Sequence, residues 1–223
     1  MTGRRGRGRQ PQRRCTHAPG SGPDSEAAFA AATGATLHAL PTGANGGTVS
    51  GASISSTDGA ITLNTASGTL FSNWEVSSGV SRLDGPDLAI SGAENFDVVV
   101  QFGADRYAFG FGIYESTSSA LAGCNETCVE STFTITLWNN GLQLSPSYLL
   151  SPANNVAVFW GLQTDFAFDA IKIRETTGGI DNEIFGTFYS GTAGVPVAVP
   201  EPDSLALAGL ALAGLAGARR RRR

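Results

Sequence analysis

The chain has 223 residues, of which 41% are hydrophobic and only 15% are charged, and it contains 29 glycines. This composition is apolar enough to bury the core of one domain and too poor in charge for a typical disordered chain. Eleven of the fifteen basic residues lie in the first fourteen residues and the last five, whereas all nineteen acids lie between these ends. The middle therefore has four basic against nineteen acidic residues, a net charge of −15. Such a body repels nucleic acid and is not expected to bind it.

The first 25 residues form a basic arm rich in glycine and proline, which is predicted to be disordered. The arm lacks the apolar run that follows the basic residues of a secretory signal. Residues 26–44 are interpreted as a linker or the remnant of a leader, because Thr, Gly and His interrupt their apolar stretch. Two hypotheses remain open: the true signal is missing from this start, or the protein is cytosolic. The C-terminal segment favours the first.

Residues 45–190 are predicted to form an all-β domain, an antiparallel β-sandwich of the jelly-roll type. Phe96, Val98 and Val100 share one face of FDVVVQF and polar side chains occupy the other, an alternation typical of a half-buried strand. Turn residues interrupt the pattern about every ten residues, and nothing before the C-terminal segment shows a helical period. Further strands are predicted at 60–64, 70–76, 87–91, 107–114, 131–138, 146–150, 155–161, 169–175 and 183–189.

The stretch YAFGFGIYE at 107–115 is unusual because Ala108, Gly110 and Gly112 all fall on one face of the predicted strand. Glycine weakens a strand, so such a face indicates that something approaches closely. One interpretation is a packed loop or a neighbouring sheet. The other is a shallow groove in which a sugar ring lies against Tyr114. Glu115 takes an inward position if the strand continues that far; otherwise it marks an exposed strand end or pairs with a cation.

Cys124 and Cys128 are three residues apart in GCNETCVE, a spacing that suits a small local disulfide in an exported protein. The alternative, half of a zinc site, lacks a second pair of ligands nearby. Asp181, Asn182 and Glu183 offer the hard oxygen ligands that calcium prefers. These residues are a candidate calcium site, although Asp and Asn in a turn also commonly bond to their own backbone. No other cofactor is expected.

An enzyme is not expected. A paired-carboxylate glycoside hydrolase needs two carboxyl groups that face one cleft, which sequence does not reveal. The chain has no Gly-x-Ser-x-Gly motif, and its two isolated histidines make a catalytic triad improbable. The carboxylates considered for hydrolysis are Glu115, Glu130, Glu175, Asp181 and Glu183.

Exposed aromatic side chains are candidates for stacking on sugars, and Trp138 is one of them. It falls on the face opposite Phe133, Ile135 and Leu137, so strand parity favours an exposed position. Tyr114 is the second candidate and Trp74 is a third, whereas Trp160 is predicted to lie in the core.

The C-terminal segment has three parts in a fixed order. Residues 191–203 form a proline-rich linker that contains Pro200-Glu201-Pro202. Residues 204–223 are predicted to form a membrane-spanning helix with a basic, cytoplasmic end, because fourteen residues of only Leu, Ala and Gly precede the arginines. As a helix those fourteen residues span about 21 Å. The helix leucines are Leu205, Leu207, Leu210, Leu212 and Leu215, and the terminal arginines are Arg219, Arg220, Arg221, Arg222 and Arg223.

This order resembles the PEP-CTERM sorting signal of exopolysaccharide-producing Gram-negative bacteria. The resemblance implies export, a transient stay in the inner membrane, and processing near the Pro-Glu-Pro motif by an exosortase. A second resemblance, over the stretches GPDLAISGAENFDVVV to FGTFYSG, is to the lectin- or carbohydrate-module-like β-sandwich that often precedes such signals. It implies fold and location rather than chemistry.

Three functional hypotheses follow. The first is a non-catalytic cell-surface or extracellular-matrix protein sorted through its C-terminus. The second is a carbohydrate-binding module that recognises exopolysaccharide, and the third is a glycoside hydrolase on the same fold. The first is preferred, and it is compatible with the second.

Overall fold

The computed structural model describes residues 15–20, 23–66, 68–77, 79, 82–91, 97–116, 131–177 and 182–194. These residues contain two α-helices, α1 (Pro23–Thr33) and α2 (Trp74–Ser77), and a 3-10 turn at Ala44–Gly46. They also contain thirteen strands that form one antiparallel sheet. The strands are β1 (Cys15–Gly20), β2 (Thr36–His38), β3 (Val49–Gly51), β4 (Ser53–Ser55), β5 (Ile61–Thr65), β6 (Thr69–Ser72), β7 (Leu88–Ser91), β8 (Asp97–Ser116), β9 (Thr132–Asn139), β10 (Leu142–Gln143), β11 (Tyr148–Leu150), β12 (Ala157–Thr177) and β13 (Asn182–Gly191). The antiparallel, predominantly β architecture predicted from the sequence is confirmed.

Two long strands, β8 and β12, run through both layers of the fold. In the first layer the C-terminal half of β8 lies between β12 and β13, and the order is β1-β12-β8-β13-β7-β6-β3, with β2 also on β13. In the second layer the N-terminal half of β8 lies between β12 and β5, and β9 and β4 extend the sheet on either side. The register shifts between Gln163 and Ala170, where β12 passes from one layer to the other.

One hydrophobic cluster contains side chains from both layers. Phe111, Trp160 and Phe185 come from the first layer, and Ile135 and Ile171 come from the second. All five are fully buried. The alternation predicted for 131–138 is confirmed, because Phe133, Ile135 and Leu137 face this core and the intervening side chains face outward. Trp160 is 0% exposed, as predicted.

The long strands differ from the sequence prediction, which split each of them in two. The separate strands at 96–102 and 107–114 are parts of β8, and those at 155–161 and 169–175 are parts of β12. The polar residues between the parts resemble turn sequences. They remain extended because irregular pairing continues across them, with Arg106 opposite Phe168. A local pattern does not reveal such long-range pairing.

Helix α1 and strand β1 lie where the sequence indicated a linker and a disordered arm. Helix α1 has no repeated apolar period, and Phe29 is its main buried side chain, at 6% exposed. It ends at Gly34, whose positive φ of 66° suits a residue without a side chain and whose amide donates to the carbonyl of Ala30. Strand β1 pairs along β12 from Cys15 to Gly20. The ordered body therefore begins before residue 45.

The strand predicted at 70–76 ends at Ser72. Asn73 then takes a left-handed conformation with φ of 59°, which breaks the extended chain. Both carboxylate oxygens of Asp87 accept hydrogen bonds from the amide of Glu75, at 3.2 and 3.0 Å. Burial raises the pKa of Asp87, and amides of the turn that begins α2 act against that effect by donating to it. A carboxylate from a distant segment thus stabilises the helical turn.

The predicted membrane helix over 204–223 lies outside the described residues, as does most of the linker before it. Within the described part of the chain, no helix combines the length and apolarity needed to cross a membrane.

Candidate functional site

The outer face of the second layer carries a shallow trough. It consists of two adjoining depressions of about 340 Å³ and 490 Å³, and Trp138 and Lys172 line both of them. Thr134, Thr136 and Arg174 line one end. The second depression lies towards β8 and is lined by Val99, Gln101, Asp169 and neighbouring residues.

Strand register places these side chains on one surface. Trp138 lies opposite Ala170, and Thr134 lies opposite Arg174. Trp138 is half-buried, and its Nε1 donates a hydrogen bond to Thr136 Oγ1 at 2.9 Å. The outward position predicted for Trp138 is confirmed. Its role in stacking on a sugar stays a prediction at this point.

The trough contains an ion-pair network of two cations and one carboxylate. Asp97 Oδ2 contacts Lys172 Nζ, and Asp97 Oδ1 lies 3.7 Å from Arg174 Nε. The side chain of Asp97 is 15% exposed, whereas that of Arg174 is 59% exposed. The carboxylate is therefore largely covered, and the Arg174 guanidinium presents hydrogen-bond donors to solvent.

In the second depression, Asp169 Oδ2 accepts a hydrogen bond from the backbone amide of Asn140 at 2.7 Å. Asn64 Nδ2 donates to Gln101 Oε1 at 3.3 Å. The trough thus combines a partly exposed indole with fixed donors and acceptors on both sides. An apolar plane framed by polar groups suits a ligand that has both apolar ring faces and hydroxyl groups.

Tyr114, the second predicted stacking residue, is not on an open surface. It is 6% exposed and packs with Leu83 and Ile184. The Arg82 guanidinium carbon lies 5.0 Å from the centre of its ring, and Arg82 Nη1 donates to its hydroxyl. The prediction of a sugar-stacking Tyr114 is therefore corrected, because this packing covers the ring.

The small-residue face of β8 is packed rather than open. A Cβ added at Gly110 would come within 2.5 Å of Phe159 Cζ and 3.1 Å of Phe29 Cε1. At Gly112 the added atom would come within 2.5 Å of Thr187 Oγ1. The interpretation of close protein packing is confirmed and the sugar groove is wrong here. Phe159 of β12 and Phe29 of helix α1 cover Gly110, whereas Thr187 of β13 and Leu83 cover Gly112. The sequence did not predict helix α1.

Three of the five carboxylates considered for hydrolysis meet around one serine. The amide of Ser131 donates to Glu115 Oε1 at 2.5 Å. Its hydroxyl lies 2.8 Å from Glu183 Oε1 and 3.2 Å from Glu175 Oε1, and it has one proton to donate. All three glutamates are at most 5% exposed. The inward position of Glu115 is confirmed, and the alternative of an exposed strand end is wrong, because Glu115 is 1% exposed. These carboxyl groups are buried, although Glu175 also lines one depression of the trough. Glu130 and Asp181 lie outside the described residues.

The calcium and disulfide predictions are not decided by the described residues. Asp181, Cys124 and Cys128 lie outside them, and Asn182 begins β13. Glu183 accepts from Ser131 instead of facing solvent. Among the described residues, no group of three or more His, Cys, Asp or Glu side chains could hold a metal ion.

The sequence missed a hydrogen-bonded cluster around His38. His38 Nδ1 lies 2.7 Å from Asp58 Oδ2, and His38 Nε2 lies 2.7 Å from Ser190 Oγ. Arg106 Nε donates to the same serine oxygen at 2.9 Å. A carboxylate only accepts, so His38 carries a hydrogen at Nδ1; in the neutral ring, Nε2 then accepts from the Ser190 hydroxyl. These contacts are those of a Ser–His–Asp arrangement, yet Ser190 is 3% exposed.

The Ser190 oxygen is buried and also accepts a hydrogen bond from Arg106 Nε. The cluster connects β2, the turn after β4, β13 and the irregular part of β8, and so joins distant segments of the fold. No sequence signal could have found it, because Asp58 is 20 and Ser190 is 152 residues from His38.

Comparison with protein families gives one match. Residues 198–222 match the model of the PEP-CTERM protein-sorting motif. The match covers a short part of the chain and includes Pro200, Glu201 and Pro202 and most of the terminal arginines. It confirms the predicted sorting segment and marks the chain as an exported protein sorted through its C-terminus. A comparison with curated proteins gave no match.

Solved structures with a similar strand arrangement include carbohydrate-binding modules. A mutant of the family 29 module CBM29-2 aligns with 14% identity and a TM-score of 0.38, over 74% of this chain and 99% of its own. Another CBM29-2 mutant, complexed with mannohexaose, aligns with 14% identity and a TM-score of 0.39, over 81% and 94%. The family 32 module of C. perfringens NanJ, in complex with galactose, aligns with 17% identity and a TM-score of 0.38, over 58% and 92%. Alignments this distant carry no functional conclusion.

Proposed function

We propose that this chain is a non-catalytic cell-surface or extracellular-matrix protein that an exosortase processes during export. The observation that carries the proposal is the PEP-CTERM motif at 198–222. The body is then the cargo, a lectin- or carbohydrate-module-like β-sandwich of the jelly-roll type. The shared core between two layers supports that finer assignment.

The sorting step follows from the order of the C-terminal segment. The apolar residues from Leu205 to Ala218 hold the chain in the inner membrane, and Arg219 to Arg223 stay on the cytoplasmic side. Pro200-Glu201-Pro202 then lies at the outer surface, where an exosortase acts near it. The cargo is released to the cell surface or the extracellular matrix.

The test is the intact mass of the protein in a PEP-CTERM host with and without its exosortase. Replacement of Pro200, Glu201 and Pro202 by alanine should leave the tail attached, whereas Pro196→Ala, in the same linker, should not affect processing. We expect the wild-type chain to lack the tail only when the exosortase is present. Full-length protein confined to the cytosol of the complete host would contradict the proposal.

The trough favours a second function for the same exported protein, the binding of exopolysaccharide. The observation that supports it is the half-buried Trp138 between fixed hydrogen-bonding groups. Trp138→Ala should abolish retention on the host polymer. Trp74→Ala is the matched control, because Trp74 is also half-buried but packs against Phe71 away from the trough. Equal retention of both variants would contradict binding at this face.

Calcium at Asp181, Asn182 and Glu183 remains a lesser proposal. Glu183 and its two buried neighbours, Glu115 and Glu175, would repel one another as like charges, and a cation bound beside Glu183 would reduce that repulsion. Calcium should raise the thermal midpoint of the wild-type chain and have a smaller effect on Glu183→Gln. An equal effect on both proteins would exclude this site.

A further inference from the structure

We propose that the trough binds an uncharged, linear polysaccharide along the direction of β9 and β12, through several consecutive sugar units. This inference rests on the proposed carbohydrate binding and adds the charge and the length of the ligand. The charges of the trough and the spacing of its side chains carry it.

The trough has no excess of positive charge. Two cations, Lys172 and Arg174, line it together with two acidic residues, Asp169 and Glu175, and Asp97 beside it contacts both cations. The surrounding body has a net charge of −15 between the basic ends. A polymer with one negative charge per sugar would meet a site without excess positive charge on a repelling body. An uncharged polymer meets no such repulsion.

The charged side chains still contribute to binding a neutral sugar. An exposed guanidinium holds several N–H donors in a fixed plane, and these donate to neighbouring hydroxyl groups as well as to anions. Asp97 holds Lys172 and Arg174 in place on the trough floor. The ion pairs therefore serve to orient donors, since exposed pairs contribute little stability by themselves.

The length of the trough exceeds one sugar ring. Thr134, opposite Arg174, and Trp138 are four residues apart on β9, which corresponds to about 13 Å along the strand. The second depression lies beside Trp138 rather than beyond it, because Trp138 on β9, Ala170 on β12 and Gln101 on β8 form one cross-strand row. A polymer along β9 therefore contacts Trp138 and Arg174 through different sugar units, and Gln101 lies beside the unit at Trp138. A monosaccharide reaches only one of these contacts.

The charge of the ligand is tested by affinity electrophoresis. The gels contain glucomannan, polygalacturonate, or the same polygalacturonate after reduction of its carboxyl groups. The full chain is used in every sample. The six arginines of the first fourteen residues and the five at the C-terminus are replaced by glutamine, so that they do not bind the acidic polymer. We expect retardation by a neutral polymer and none by polygalacturonate. Preferential retardation by polygalacturonate would overturn the uncharged ligand while leaving carbohydrate binding intact. If none of the three polymers retards the protein, the result would count against the proposed carbohydrate binding itself.

The length is tested with oligosaccharides of one to six units cut from the neutral polymer that binds, by isothermal titration. Affinity should rise with each unit until the trough is filled. Arg174→Ala should leave short oligosaccharides unaffected and weaken the longest about tenfold, the effect of losing a hydrogen bond from a charged group. Trp138→Ala should weaken every length, with Trp74→Ala as the control. A monosaccharide that binds as tightly as the longest oligosaccharide would overturn the extended site.

Discussion

Asp58 accepts hydrogen bonds from three groups in the cluster around His38. Partial burial raises the pKa of Asp58, but the Ser56 hydroxyl, the His38 ring and the Ala60 amide outweigh burial and lower the pKa to about 2. Because the folded-state pKa is below the unfolded value of 3.8, the stability that Asp58 contributes is complete above that value. It is lost as the pH falls towards the folded pKa.

We therefore expect the stability difference between wild type and Asp58→Asn to shrink as the pH falls from 3.8 to about 2. The difference in the free energy of unfolding between the two proteins is measured by urea unfolding at several pH values. Asp105→Asn is the control, since Asp105 is exposed. A difference that stays constant through this window would show that the Asp58 charge does not stabilise the fold.

Ser190 is the buried hydroxyl of the same cluster. Ser190→Ala removes the acceptor of Arg106 Nε and the donor to His38 Nε2, which should lower the free energy of unfolding by about 1–3 kcal/mol. Ser50→Ala, at an exposed serine, should change little. A fluorophosphonate probe should not label Ser190 in the folded protein. Labelling at Ser190 that is lost in His38→Ala would instead reveal a nucleophile and overturn the non-catalytic assignment.

Helix α1 stabilises the fold through one aromatic side chain and the glycines beneath it. Phe29 lies against Phe159, with ring centres 5.4 Å apart, and close to Gly110 and Gly161. Gly110→Ala should destabilise the protein by about 1–3 kcal/mol, because the added methyl group overpacks this contact. Gly103→Ala on the same strand is the matched control, since its Cβ would meet nothing within 4 Å. Equal urea midpoints for the two variants would contradict the packing argument.

Strand positions could be predicted from the sequence where apolar residues alternate, as in β9. The same alternation placed Trp138 on the outer face. Helix α1 could not be predicted, because its buried side rests on Phe29 and on glycines more than seventy residues away. Prediction of the trough also requires the register of three strands, because that register brings Trp138, Lys172 and Gln101 together. The His38 cluster depends on contacts between distant segments, so local patterns gave no indication of it.

At the scale of the whole molecule, the two layers share one core and two continuous strands. We expect them to unfold together, because neither layer retains its core without the other. Tryptophan fluorescence and far-ultraviolet circular dichroism should give the same urea midpoint. A Trp138→Phe variant removes the emission of the tryptophan on the outer face of the second layer. The fluorescence of the remaining tryptophans should still give the same urea midpoint. Two separate transitions would show that the layers are independent folding units.

The continuity of β8 and β12 also determines how the protein resists mechanical tension. A polymer held in the trough pulls on β9, β12 and β8, whereas a C-terminal attachment pulls on β13, an interior strand paired with β8. The two forces meet along ladders of antiparallel hydrogen bonds that are strained together in shear. In this geometry the ladder does not peel open one bond at a time. When the C-terminal end of the protein is held, a polymer pulled along the trough should therefore detach before the fold opens.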